Sequence, residues 1–336
     1  MREKFSAVVP VAGTGTRLKP HTNTYPKVLL TVGGKPILGH ILDQLIEIGT
    51  PEIFLIVGYL GDKIRQYVAA KYPGLKVTYV EQKEPRGLGH AISLTEGVVK
   101  GPVFILLGDT ILSADLTKFI DFSEDKIGVK EVEDPKRFGV VEVENGYVVR
   151  MVEKPENPPS NLAIVGAYSF RDSAALYKSL NDLIASGKTT KGEIQFTDAL
   201  MAMVAAGKKI KPVRIDGWYD CGKPETLLAT NRYLLDRKNR ETGQSCQSGF
   251  LIRPPVYIAP TARVVNSVIG PYVSVCDGSV IENSIISDSI INENAELKNI
   301  ILSDSLIGPC SILKGQRQHI NLGENSEIFM GDISDN

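Results

Sequence analysis

The sequence predicts an α/β protein: a doubly wound domain on a mixed, mainly parallel sheet, followed by a parallel β-helix. Three observations carry that expectation. Short apolar runs alternate with amphipathic helical segments from Ala7 to Leu107, an Asn-Gly pair at Asn145-Gly146 marks an inserted hairpin, and apolar residues recur six apart beyond Ile258.

Ala7 to Val11 reads as the first strand, and Ile53 to Val57 as a second that is apolar enough for burial on both faces of a parallel sheet. Between them Ile37, Ile41, Leu42, Leu45 and Ile48 share one helical face. A second helix from about Asp62 to Tyr72 leads to a strand at Val77 to Val80. A third helix, His90 to Val99, leads to a strand at Val103 to Leu107. Ligands of such sheets sit beyond the carboxyl ends of the strands, which places the loop after Val11, Gln82 and Gly108-Asp109 on one edge.

From Phe138 the pattern becomes two strands about Asn145-Gly146, a type I′ turn signal, and the second strand delivers Glu153-Lys154-Pro155. Residues 193–205 carry Ile194, Leu200, Met201 and Val204 as a helical core face, and Pro224 opens a last helix reaching about Asn239. These elements define a domain at 1–240. Residues 241–254 are polar and contain Gly and Ser, as a linker does. The repeat domain, 255–336, places apolar residues at Ile258/Val264, Ile269/Val275/Ile281, Ile291/Leu297 and Ile301/Ile307/Leu313, each turn burying its corner on the next.

Bulk properties exclude several classes. The chain has 336 residues, long enough for two domains, with net charge −1 and a pI near 6.5, so there is no basic footprint for nucleic acid or an anionic membrane. Apolar runs stay short of the roughly 18 residues a membrane span needs. Cys221, Cys246, Cys276 and Cys310 show no C-x-x-C spacing, and His21, His40, His90 and His319 form no metal pair. The expected setting is cytoplasmic and reduced.

Chemistry concentrates first in the loop after strand one, A-G-T-G-T-R-L-K-P, where Gly13 and Gly15 allow backbone N–H groups to approach phosphate oxygens and Arg17 and Lys27 answer the charge. Neither the P-loop nor the G-x-G-x-x-G fingerprint fits, since Arg17 follows where G-K-[ST] belongs and Leu18 stands at the third glycine. Asp109 in L-L-G-D-T and Asp220 in W-Y-D-C-G are oxygen ligands suited to Mg²⁺, which takes one or two carboxylates plus substrate phosphates. Gln82 offers an amide donor and acceptor that match the O4 and N3–H edge of a pyrimidine.

The stretch from Gly13 to Lys27 resembles the signature G-x-G-T-R-L-x-P-x-T-x-x-x-P-K of sugar-1-phosphate nucleotidyltransferases. Gln82, Pro85, Gly87 and Leu88 resemble the Q-x-x-P-x-G-L pattern of the thymidylyl and uridylyl members more than the guanylyl G-T-A-G. Later motifs follow in order, E-K-P at Glu153-Lys154-Pro155, Val165 to Tyr168, Gly192-Glu193, Thr197-Asp198 and Trp218 to Gly222, and in the repeat domain Ile269 to Tyr272 and Leu322 to Ser326. The whole is most similar to the long form of glucose-1-phosphate thymidylyltransferase.

That resemblance implies a nucleotide-diphospho-sugar transferase domain of Rossmann-like build with a left-handed β-helix appended. It implies transfer of a nucleotidyl group from an NTP, dTTP or UTP favoured, to a hexose 1-phosphate, glucose 1-phosphate favoured, with Mg²⁺. Ala12, Gly13, Thr14, Gly15, Thr16, Arg17, Gln82, Pro85, Gly87, Leu88 and Asp109 are the implied nucleotide-binding set, and Gly139, Glu153, Lys154, Ile164, Tyr168, Glu193 and Trp218 the sugar-phosphate set. Arg17, Lys27, Asp109, Lys154 and Asp220 are the implied catalytic residues, with Asp109 and Asp220 holding the metal. The partners are NTP and sugar 1-phosphate, with the β-helix as a surface for homo-oligomerisation. Thr14, Val28, Thr110 and Lys223 depart from the commonest residues of the family. Two alternatives belong beside this reading: a mannose-1-phosphate guanylyltransferase, and a non-catalytic regulatory subunit, which predicts loss of Arg17, Lys27, Asp109 or Asp220. An acyltransferase built on the β-helix would need His319 as its base.

Overall fold

The computed structural model describes residues 4–238, 245–247 and 249–316; His319 and Leu322 to Ser326 lie outside them. Its centre is a 9-stranded mixed sheet. Strands β1 (Ser6–Pro10), β2 (Glu52–Val57), β3 (Val77–Glu81) and β4 (Val103–Leu106) are parallel, in the order β4-β1-β2-β3. Successive residues of β1 feed opposite faces, as the two-residue period of a strand requires. Ala7 and Val9 join the core beneath helices α1 (Ile37–Glu47) and α2 (Gly61–Lys71), whereas Val8 joins the core on the other side. That second core includes Ala91 and Ile92 of the short helix α3 (Leu88–Ser93).

The third helix stops at Ser93, well before the expected Val99. Thr95 turns its hydroxyl onto the Ile92 carbonyl, and Gly97 takes a left-handed φ of 84°, so the chain leaves the helix in successive turns.

Beyond β4 the sheet turns antiparallel. A strand β5 (Thr110–Ser113) leaves the main sheet, while β6 (Asp125–Glu131), the hairpin β7 (Gly139–Glu144) with β8 (Tyr147–Glu153), and β9 (Leu162–Phe170) extend it. The hairpin turn has positive φ at both Asn145 (51°) and Gly146 (81°), the geometry that makes Asn-Gly favourable there. Helices α4 (Ser173–Ala185) and α5 (Phe196–Ala205) cover this half. Strand β10 (Ile210–Arg214) runs parallel to β6, and β11 (Gly217–Asp220) pairs antiparallel with β5, setting Asp220 opposite Thr110. Helix α6 (Pro224–Lys238) closes the unit.

From Phe250 the strands rotate through three parallel sheets, for example Phe250–Ile252, Val256–Ile258, Arg263–Val265 and back to Ser267–Ile269. That is a β-helix, and its pairing begins inside the stretch read as linker, where F-L-I at 250–252 is concealed by polar neighbours. Asn266, Asn283 and Asn299 occupy one stacked corner with positive φ, and their amides bond along the stack at 3.4 and 3.1 Å. Asparagine tolerates that conformation better than most residues. The six-residue pattern misassigns Ile301, which is 83% exposed. In the register it is Leu302 that continues the inner ladder Ile252–Ile269–Ile286, because a slip of one residue reverses a strand's faces.

Candidate active site

Two cavities, of about 370 and 430 Å³, lie at the carboxyl edge of the parallel strands and share Arg17, Leu88, Leu107, Asp109 and Glu193. They are adjoining lobes of one cleft. The first is lined by Ala12, Gly13, Thr14, Gly15, Thr16, Arg17, Lys27, Gln82, Pro85, Gly87, Leu88 and Asp109. The second is lined by Gly139, Glu153, Lys154, Ile164, Tyr168, Glu193, Trp218 and Asp220. Thus the residues expected to bind nucleotide share one lobe, and those expected to bind sugar phosphate share the other. A wider concavity of about 760 Å³ near Glu124 and Arg171 carries none of the motif residues.

The glycine loop is built by its own packing. Thr22 donates to the Gly15 carbonyl at 2.8 Å, and Leu18 is fully buried, so the loop closes back on the core. Gly15 has φ 64°, and a Cβ there would lie 2.9 Å from Thr22 Cγ2 and 3.0 Å from Lys27 Cβ. Its lack of a side chain therefore serves the chain itself. At Gly13 a Cβ would meet nothing within 4 Å, which leaves the backbone open to the cleft.

Lys27 is 8% exposed and reaches Asp109 Oδ2 at 2.6 Å. Asp109 and Asp220 converge because the β5–β11 ribbon starts between them, and Cys221 N–H bonds the Asp109 carbonyl at 3.0 Å. Burial drives the Asp109 carboxyl upward, but Lys27, a backbone N–H and Arg17 together outweigh it and hold the group below the ordinary carboxylate range. Asp220 is raised by burial and by the Asp109 charge, against Lys27, Arg17 and Arg137. The pair is a cluster of two acids among three cations. A side chain at Gly222 would lie 2.9 Å from Asp220 Oδ1 and 3.0 Å from Arg17 Nη2, so this glycine makes room where the two charges approach.

In the second lobe Glu153 ends the hairpin, accepts from Thr197 Oγ1 at 2.7 Å and pairs with Lys154 at 3.2 Å. A Cβ at Gly139 would lie 3.0 Å from Glu153 Oε2 and from Ile164 Cδ1, so the glycine makes space for the carboxylate as well as for any ligand. Phe138 packs against Trp218 at 4.6 Å between ring centroids. The Trp218 indole N–H is buried with no acceptor among the described residues. Tyr168 is buried, and burial plus the Glu153 and Asp109 charges keep its phenol neutral. The Cys221 thiol, raised to about 12 by burial, is likewise neutral and no nucleophile.

Sequence reasoning missed Arg137, which lines the second lobe and acts on Asp220; Thr197 and Gly222, which it noted only within family motifs, also line the cleft. Arg137 stands two residues before Gly139 in a D-P-K-R-F turn, where it reads as a solvated charge. The structure also revises Gln82. Its Nε2 is committed to the Gly87 carbonyl and to His90, so the amide does not offer both donor and acceptor to a base.

An open, doubly wound sheet with a glycine loop, two convergent aspartates and a two-lobed polar cleft at its carboxyl edge defines a nucleotide-handling transferase. The family model described as nucleotidyl transferase matches residues 6–237. The chain is 33% identical to the low-salt glycan biosynthesis nucleotidyltransferase Agl11 of Haloferax volcanii, over 96% of this chain and 99% of that protein. It is 31% identical to the glucose-1-phosphate thymidylyltransferase of Streptomyces griseus, over 90% and 92% respectively. Among solved structures it matches a UDP-glucose pyrophosphorylase complexed with UDP-glucose at TM-score 0.60 and 27% identity, over 70% of this chain and 100% of that one. The chain belongs to the nucleotidyl transferase family.

Proposed function

We propose that the protein transfers a nucleotidyl group from dTTP or UTP to a hexose 1-phosphate, glucose 1-phosphate favoured, giving an NDP-sugar and pyrophosphate. One observation carries the reading: the lobe floored by the glycine loop and the lobe holding Glu153-Lys154 meet at Arg17 and Asp109. A triphosphate and a sugar phosphate entering from opposite ends bring their phosphates together at that junction. An oxygen of the sugar phosphate attacks the α-phosphorus as the bond to the bridging oxygen breaks, and pyrophosphate departs. No covalent enzyme intermediate is needed, so positioning and charge neutralisation supply the catalysis.

Arg17 is assigned to the leaving pyrophosphate, Lys27 and Lys154 to phosphates, and Glu153 to two vicinal sugar hydroxyls. Asp109 and Asp220 fit Mg²⁺, because the two carboxylates lie close enough for the charge of Asp109 to raise Asp220, and two carboxylates leave coordination for phosphate oxygens. Bound there, the ion would offset charge on the reacting phosphates. The test is a pyrophosphate-release matrix of UTP, dTTP, CTP, ATP and GTP against several sugar 1-phosphates with Mg²⁺. The expected maximum is UTP or dTTP with glucose 1-phosphate; GTP with mannose 1-phosphate as the best pair would overturn the assignment.

A further inference from the structure

The Gln82 amide sits in the wall of the first lobe, 8% exposed, beside Gly87 and Leu88. Its nitrogen lies 3.2 Å from the Gly87 carbonyl oxygen and 3.2 Å from His90 Nδ1. A carbonyl only accepts, so the atom facing Gly87 must be the NH₂ group, which fixes the orientation of the amide. His90 Nδ1 then meets a donor and must itself accept, which puts the ring proton on Nε2. With both N–H directions committed, Oε1, which accepts no hydrogen bond among the described residues, is the group left for a ligand. Burial and the Arg86 charge keep the His90 ring neutral, against Glu84 and its backbone.

We propose that His90 is a positioning residue for base selection, holding the Gln82 amide jointly with the Gly87 carbonyl so that its oxygen faces the base. Uracil and thymine place an N3–H donor opposite that oxygen. Cytosine places an N3 lone pair there, and two acceptors facing each other in a desolvated pocket repel. If the amide turned over, its NH₂ would meet cytosine instead. His90 thereby strengthens the discrimination against CTP that the Gly87 carbonyl begins, without touching the base.

This rests on the pyrimidine reading of the first lobe, and the experiment separates the two. Pyrophosphate release with UTP and with CTP, at saturating glucose 1-phosphate and Mg²⁺, is compared for the wild type, His90→Leu and His90→Asn. In His90→Leu the UTP-to-CTP ratio of kcat/KM falls about tenfold or more, through the KM for UTP, with kcat within about threefold. In His90→Asn the side-chain oxygen takes the place of Nδ1 as acceptor and the ratio returns toward that of the wild type. Equal losses for both nucleotides in His90→Leu, or an Asn variant that behaves like Leu, would overturn the role of His90 while leaving the pyrimidine reading intact. Wild-type protein that uses no pyrimidine triphosphate would overturn both. If His90→Leu does not fold, His90→Ala carries the same comparison.

Discussion

Arg17 and Lys27 come from one loop and carry the same charge, yet they are held differently. Lys27 is buried against Asp109, whereas Arg17 is exposed on a single turn of 3-10 helix, Thr16–Leu18, with its guanidinium near Asp220. A cation held in place by burial is part of the fold as well as the chemistry; an exposed one is not. Arg17→Ala is therefore expected to leave the thermal midpoint within about 2 °C, as surface substitutions usually do. Its turnover is expected to fall about 10²- to 10³-fold, the usual loss when one preorganised charge-stabilising donor is removed from a reaction. Calorimetry and pyrophosphate release on the same preparation check both halves, and near-normal turnover would remove Arg17 from the mechanism. Residues of this kind were legible in the sequence because a charge beside glycines at a strand end has few other uses. Arg137 was not, since its neighbours there are the residues of an ordinary exposed turn.

At the scale of elements, the loop after β1 separates two reasons for a glycine. Gly15→Ala forces a Cβ into a left-handed residue and against Thr22 and Lys27. The backbone strain alone is worth about 1–2 kcal/mol, and the contact with Lys27 moves a site residue, so stability and activity fall together. Gly13→Ala meets open space. Its denaturation midpoint is expected to stay near that of the wild type while the KM for the nucleotide rises, since the new methyl group stands where phosphate approaches. Urea titration beside steady-state kinetics distinguishes them, and a Gly13→Ala protein with unchanged KM would show that phosphate does not pass that point. The strands were easier to read than this loop: apolar runs such as Ile53 to Val57 are dictated by burial on both faces. What the sequence hid were the places where a local interaction overrides periodicity. Thr95 and Gly97 end a helix that apolar spacing continues, and Ile301 keeps the six-residue count while Leu302 takes the inner position. The hidden partner of Gln82 belongs with these, because nothing in the pattern Q-x-x-P-x-G-L-x-H says that the amide donates to the histidine.

At the scale of the whole molecule, the β-helix is packed into the transferase domain. Ile290 is fully buried in the core shared with α1, and Leu306 packs against the same cluster. Arg232 of α6 reaches Asp288 and Asp304 on neighbouring coils. The central contact is Asn231, 1% exposed, whose Oδ1 accepts from Gly33 N–H at 2.8 Å and Ser274 Oγ at 2.6 Å while its Nδ2 donates to the Tyr272 carbonyl at 3.1 Å. One side chain thus joins α6, the Thr31–Pro36 ribbon and the first coils of the β-helix. That ribbon follows directly on the turn carrying Lys27, so the docking also steadies the site. Because the two parts share apolar core and buried hydrogen bonds, they are expected to unfold in one transition, with calorimetric and van't Hoff enthalpies equal. Asn231→Leu removes three buried hydrogen bonds, each worth about 1 kcal/mol net and more where a donor is left desolvated, for a cost of roughly 3 kcal/mol. If the contact couples the two parts, the variant's calorimetric trace resolves into two transitions and its turnover falls with the loosened ribbon. Two transitions already present in the wild type would mean that the β-helix is carried by the transferase domain without being energetically part of it.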